Sequence, residues 1–344
     1  MDSITQAALG ATIAQAGFST RLGRRALLFG AVAATLPDLD VVVRAAGQWA
    51  VVEHHRGATH SLPVLALATP LLALAGRRWF ARPRDRSGVA VPDDRRAWLL
   101  LTALVLLTHP LLDLFTSYGT QLFWPLSGRR FALDAISIID PVVTVPMLLV
   151  VARGFMGRAG PRLALAVLCL TMVYLGYGHS QSRRAEAIAT AELARQDFEP
   201  VEVRALPTPA NLVVWRVVAR DAGGRLRVTN LSTAGRERPR FVAAHRGGHP
   251  LAERALASPE GRLFEWFAMD MISTTVEETA RGTRVLIHDH RYGMISDPLI
   301  TAFRAEAEFD DGGRLLGVYR PMEYMRGDMR REISLLWRMI RNDA

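Results

Sequence analysis

The sequence predicts an integral membrane protein: a mainly α N-terminal domain of about five to six transmembrane or interfacial helices, followed by a β-rich α+β soluble C-terminal domain. Three observations carry this. Almost every strongly apolar run falls before residue 180. The arginines of that part gather in three connections between the runs. Beyond about residue 200, short alternating segments broken at Gly-Gly and Asp-Gly replace the long runs.

The apolar runs cover roughly 4–18, 26–43, 61–76, 97–115, 135–152 and 161–178. A spanning helix needs about 20 apolar residues, with about 17 as a lower limit. The first run is therefore marginal, and is expected either to lie in the interface or to tilt in beside its neighbours. MDSITQ lacks the basic stretch of a cleaved signal peptide, so this run is read as retained. The connections 21–25, 77–96 and 153–162 hold 3, 7 and 3 arginines; the opposite helix ends hold only Arg44, Arg56, Arg129 and Arg130. Cytoplasmic loops collect basic residues. The three connections are thus expected in the cytoplasm, with residues 38–60, 109–134 and everything after 179 on the outer side.

Past the last run, 180–199 has the polar, helical composition of a linker. NLVVWRVVARDAGGRLRVTNLS reads as two strands around a Gly-Gly turn, TRVLIHDHRYG as another, and ITAFRAEAEFDDGGRLLGVYR as a pair joined at Asp-Gly-Gly. MRREISLLWRMIRN is an amphipathic closing helix. The expected organisation is a membrane domain over 1–179, a linker helix over 180–200 and an extracytoplasmic domain over 201–344.

Composition narrows the chemistry. The net charge of +9 does not point to nucleic acid: every basic residue is Arg, none is Lys, and the arginines mark membrane boundaries rather than one binding stripe. The expected partners are the lipid bilayer and no nucleic acid. Cys169 is the single cysteine, so neither a disulfide framework nor a thiolate metal site can be built. Any metal must be held by His and carboxylates.

Four segments bring such groups to the predicted outer face: LPDLD (36–40), EHHRGATH (53–60), THPLLDLFTSYG (108–119) and RRFALDAISIIDP (129–141). His109 and Asp113, four apart on a helix, share a face. Asp38 and Asp40 project together if their segment is extended. His54 or His55, with His60, could complete one site or bridge two. Neutral imidazoles with carboxylates suit Zn, and also Mn or Fe; one to three ions are compatible with this inventory. Asp134 or Glu53 is the expected proton carrier, and Arg56, Arg129 and Arg130 carry donors suited to a phosphate. Blander roles stand beside these. A His at a helix end is often only an interfacial polar group, Asp140 before Pro141 is a good N-cap, and Arg129 and Arg130 could simply meet lipid headgroups. The concentration of ionisable groups at membrane depth, where they are costly, favours a site. His288 and His290 alternate on a strand and are expected to form a polar sheet face. His245 and His249 lie in a Gly-rich loop and carry no stronger expectation.

MDSITQAALGA, LPDLD, HHRGATHS, HPLLDLFTSYGTQLFWP and DAISIIDP, in this order over residues 1 to about 150, resemble the YdjM-like membrane-bound metal-dependent hydrolases. The resemblance implies a bacterial inner-membrane protein that hydrolyses its substrate with a metal. It maps the site onto Asp38, Asp40, His54, His55, His60, His109, Asp113 and Asp134. HPLLD on a helix is also distantly similar to zinc-dependent phospholipases C, which implies a lipid or small phosphoester substrate. One position departs: many members carry Thr-His near the start, and here it is Thr5-Gln6, which leaves the number of ligands open. A non-catalytic metal-binding, transport or scaffold protein is the alternative from another class.

Overall fold

The computed structural model describes residues 1–81, 94–235, 237–280, 282–319 and 328–342, and the chain forms two units. The first comprises Met1–Ala45 and His54–Tyr177, the second Ala46–Glu53 and Gly178–Ala344. Residues 82–93, the centre of the longest arginine-rich connection, lie outside the described residues.

The first unit is helical. Its elements are α1 (Ser3–Gly17), α2 (Ser19–Leu22) and α3 (Arg25–Thr35), which runs on into 3-10 turns over Pro37–Ala46. After α4 (Gln48–His54), which up to Glu53 belongs to the second unit, come a 3-10 turn at Ala58–His60, then α5 (Leu62–Phe80), α6 (Arg95–Leu114), α7 (Pro141–Phe155) and α8 (Pro161–Ala194), whose residues from Gly178 on also belong to the second unit.

Helix α1 takes the second course expected of it and lies among its neighbours. Asp2 caps it, accepting from the N–H groups of Ile4 and Thr5. Buried residues surround it on all sides, from Thr5 and Gln6 to Ala14 and Gln15, because α3, α6 and α7 pack against it. Its crossing with α3 depends on two glycines. A Cβ at Gly10 would collide with the Gly30 carbonyl oxygen, and one at Gly30 with that of Gly10. Ala14 and Ala34, one turn further on each helix, extend the small-residue contact.

Among the described residues, three helices are long and apolar enough to cross a membrane: Arg25–Ala46, Arg95–Leu114 and Pro161–Ala194. A fourth appears if Gln48–His60 and Leu62–Phe80, bent by 59°, count as one broken span; Pro141–Phe155 is apolar but shorter. In α7, Asp140 serves as a cap, its Oδ1 accepting from Val142 N–H at 3.0 Å and its Oδ2 from the Tyr174 hydroxyl at 3.0 Å. Residues 180–194 form no separate linker helix. They continue α8 without a break, since SQSRRAEAIATAELA is rich in helix formers and holds neither Gly nor Pro.

The second unit contains two four-stranded antiparallel sheets. The first has the order β1 (Pro200–Pro207), β2 (Val214–Asp221), β3 (Arg225–Ser232), β4 (Val242–His245). Helices α9 (Pro250–Ala257) and α10 (Pro259–Phe267) lead to the second, β5 (Ile272–Thr279), β6 (Gly282–Gly293), β7 (Thr301–Phe309) and β8 (Leu315–Tyr319), with α11 (Met329–Arg341) last. The two hairpins read from the sequence form at β2–β3 and β7–β8. Central strand β2 is buried on both faces, as its run of apolar residues requires. Val218 packs with Leu206, Leu226, Val228, Ala244 and Met271, while its neighbour Ala219 turns the other way, onto Leu193 of α8 and Phe198.

One segment was not assigned to this unit by the sequence. Residues 46–53 leave the helical unit, join the second, and return at His54. Trp49 holds them there: its Nε1 donates to the Val318 carbonyl at 3.2 Å, and its ring meets Phe264 edge-on at 6.4 Å.

Candidate metal centre

Helix α6 supplies the floor of the site. His109 and Asp113 fall on one face a turn apart, and both are fully buried. The Gly10–Gly30 crossing sets the end of α3 beside them, and His109 Nδ1 lies 2.6 Å from the Ala34 carbonyl oxygen. A carbonyl only accepts, so Nδ1 carries the proton and Nε2 keeps its lone pair.

The LPDLD segment closes one side. It is 3-10 helical rather than extended, so Asp38 and Asp40 do not project together as the sequence reading supposed. Asp38 Oδ1 approaches His60 Nε2 at 3.4 Å and His109 Nε2 at 3.5 Å. Its other oxygen accepts from the Ser3 hydroxyl at 3.0 Å. Asp40 faces EHHRGATH instead, accepting from Arg56 N–H at 2.9 Å and from the Thr59 hydroxyl at 3.0 Å, and pairing with His55 Nδ1 at 2.7 Å.

The three-histidine stretch EHHRGATH thus wraps around the Asp40 carboxylate. To do so, Arg56 takes a left-handed φ of 60°, a costly conformation for a residue with a Cβ that tight surroundings must enforce. The wrap delivers His60 to the centre. Its Nδ1 lies 3.1 Å from Thr59 Oγ1 and 3.4 Å from Asp40 Oδ2; because Thr59 donates to Asp40, its oxygen is free to accept from Nδ1. His60 Nε2 is then also a lone pair, 3.0 Å from that of His109.

Four donors therefore converge: Asp38, His60, His109 and Asp113 each place one ligand atom so that all lie within 4.8 Å of one another. Asp113 Oδ2 lies 3.4 Å from His60 Nε2 and 3.7 Å from His109 Nε2 and accepts no hydrogen bond. Asp113 is engaged by the Met1 ammonium at Oδ1 and by Arg56 at Oδ2, but the imidazole lone pairs of His60 and His109 face each other with Asp38 beside them, and a cation between them would relieve that repulsion. Ligands about 2.0–2.2 Å from one ion are spaced much as these are. The residues present fit a divalent metal, and two nitrogens with two oxygens suit Zn, Mn or Fe.

The other residues singled out from the sequence lie around this group. Asp40 and His55 orient it. Arg56 is buried, its Nε 3.2 Å from Asp113 Oδ2 and its terminal nitrogen donating to Thr116 at 2.9 Å. Arg130 is buried too, donating to the Gly119 carbonyl at 2.9 Å; the guanidiniums of Arg56 and Arg130 both lie over the Tyr118 ring, at 4.8 and 5.3 Å. Arg129 is exposed and stacks on Phe131. Asp134 is buried in the loop after α6, at a left-handed φ of 50°. His54 is exposed at the end of α4, outside the four-residue group, and exposed Glu53 belongs to the other unit. Gln6, where a His was expected from relatives, donates to the His109 carbonyl at 3.2 Å and to Asp113 Oδ1 at 3.1 Å. Ser3, Thr59 and Tyr118 were missed by sequence reasoning, and only their adjacency to the charged motifs could have marked them.

The model of the YdjM inner membrane protein family matches residues 1–185, more than half of the chain and the whole of the part that builds this centre. The chain belongs to that family. Inner membrane protein YbcI of Escherichia coli is 41% identical over 132 residues, 37% of this chain and 69% of that protein. An uncharacterized protein of Bacillus subtilis, YfhP, is 27% identical over 141 residues, 41% of this chain. The chain spans about two fifths of YfhP, 39% of its length. No solved structure matches. The family and the candidate spans make this a membrane protein with a possible metal site; the distant likeness to zinc-dependent phospholipases C finds no support in these matches.

Proposed function

We propose that the chain is a metal-dependent hydrolase acting on a lipid-derived or small phosphoester substrate at the outer membrane–water boundary. The observation that carries this reading is the pair of imidazole Nε2 atoms 3.0 Å apart, each fixed in its ligating tautomer by a partner on Nδ1. When bound, a divalent ion supplies Lewis-acid activation of water and of a phosphoryl oxygen. The protein's own residues do the rest. Asp38, His60, His109 and Asp113 hold the ion. Asp40 and the Ala34 carbonyl fix the two rings, and Arg56 lies against the same Asp113 oxygen that faces them, while Gln6 holds the other. Asp38, the one partly exposed member of the group, marks the side from which a substrate approaches. Arg129, exposed nearby in sequence to buried Arg130, is the residue offered to a phosphate. Asp134 is the proton carrier assigned to the buried loop; Glu53 is the less favoured one, being in the other unit.

The test is elemental analysis of detergent-purified protein beside a His60→Ala/His109→Ala variant, followed by phospholipid and phosphoester turnover assays. Stoichiometric metal lost in the variant, with turnover lost in parallel, supports the reading. Metal lost without any turnover in the wild type favours a binding or scaffold protein. Metal in neither overturns the site.

A further inference from the structure

Helix α11 is fixed in rotation by its inner face. Glu332 is buried, its Oε2 accepting from Ile295 N–H at 2.6 Å and Ser296 N–H at 3.3 Å, and Leu335 and Met339 are half-buried. That leaves Met329, Ile333 and Trp337, spaced at four residues, on one outward stripe. Their exposures are 57%, 49% and 56%, in a helix end where a soluble surface would carry polar groups. The charges are as one-sided. Arg330, Arg331, Arg338 and Arg341 are all exposed, while the carboxylates at Asp328 and Glu332 are both engaged by backbone N–H groups. Arg330 sits beside Met329, and Arg341 one turn beyond Trp337. A large apolar stripe bordered by Arg, with a Trp at its edge, is the build of a helix lying in a membrane interface. The other unit holds the same chain in a bilayer, so that surface is always at high local concentration.

We propose that α11 docks in plane on an anionic lipid surface, with Met329, Ile333 and Trp337 at headgroup level and Arg330 and Arg341 against the lipid phosphates. This is independent of the metal centre.

The test uses the full-length protein with its exposed Cys169 changed to Ala, spin-labelled at Ile333→Cys or, as a control about 160° round the helix on the exposed side away from the stripe, at Arg331→Cys. The protein is reconstituted in phosphatidylcholine bilayers with and without phosphatidylglycerol. The label at 333 is expected to be shielded from a water-soluble relaxant and open to oxygen, and the label at 331 the reverse. Shielding at 333 should grow with phosphatidylglycerol. The docking equilibrium, read as the ratio of shielded to water-exposed label, should fall roughly fivefold for each arginine removed in Arg330→Gln and Arg341→Gln. Equal water exposure at both positions overturns the proposal. So does spin–spin broadening at 333 in place of shielding, which would show a second copy covering the stripe. Unchanged circular dichroism in each variant confirms that the comparison is made on folded protein.

Discussion

Asp38 and Asp40 are chemically identical and two residues apart, yet only one faces the metal position. Asp40 spends its oxygens on Arg56 N–H, Thr59 and His55, and so orients His60 rather than ligating. Replacing it by Asn keeps the size but weakens acceptance at Nδ1 of His60. Asp40→Asn is expected to lower metal affinity by roughly 10–100-fold, whereas Asp38→Asn removes a ligand. Competition with a chelating dye measures both, and equal losses would erase the distinction between them. The residue types of this site were legible because His and Asp cluster at membrane depth for few other reasons. Their division of labour was not legible, because it depends on a 3-10 turn, and sequence alone puts Asp38 and Asp40 on a common side only if their segment is extended. The placement of Arg56 was hidden in the same way: a guanidinium that reads as a phosphate grip lies buried against Asp113.

At the scale of the element, the α1–α3 crossing connects packing to chemistry. The Gly10–Gly30 contact brings α3 close enough for the Ala34 carbonyl to reach His109. Gly30→Val must push the helices apart, and is expected to cost on the order of 1–3 kcal/mol, or more if α3 cannot yield. Metal retention should fall with it. Gly17→Ala, with open space around the new methyl, should change neither. Thermal unfolding in detergent together with metal content reads both effects; a Gly30→Val protein that keeps its metal would separate the crossing from the site. Periodicity gave the helices and hairpins well, since apolar runs and Gly-Gly turns are local signals. It left two courses open for α1, because a helix surrounded by protein and one surrounded by lipid carry the same apolar sequence.

On the scale of the molecule, the second unit has an acid limit of its own. Burial, with Arg304 nearby, pushes His288 down to about 4; burial, with Arg216 nearby, pushes His290 down to about 3. Their hydrogen bonds to Thr275, Thr301 and Ser273 fit neutral rings. Above the ordinary value near 6.5, both are neutral folded or unfolded and contribute nothing to pH dependence. Below it the unfolded chain binds protons that the folded unit refuses, so stability falls as pH drops from 6.5 toward 4. The shift at His288 corresponds to roughly 3 kcal/mol. His288→Gln is expected to flatten that limb in unfolding curves taken between pH 7 and 4; an unaltered limb would place its origin elsewhere. The two-part architecture was legible from the change in texture near residue 200. The transfer of residues 46–53 was not, since nothing local in GQWAVVE names a partner that lies more than two hundred residues away.

That transfer has a kinetic side. The eight residues held by Trp49 stand between the two stretches that feed the centre, Asp38–Asp40 before them and His55–His60 after. Both stretches are joined covalently to this excursion, so loosening Trp49 is expected to free the chain on either side of the ion. Trp49→Ala leaves every ligand in place, yet it should speed metal exchange more than it lowers the amount bound at saturation. The lifetime of the bound ion would then report how firmly Val318 and Phe264 grip one indole ring.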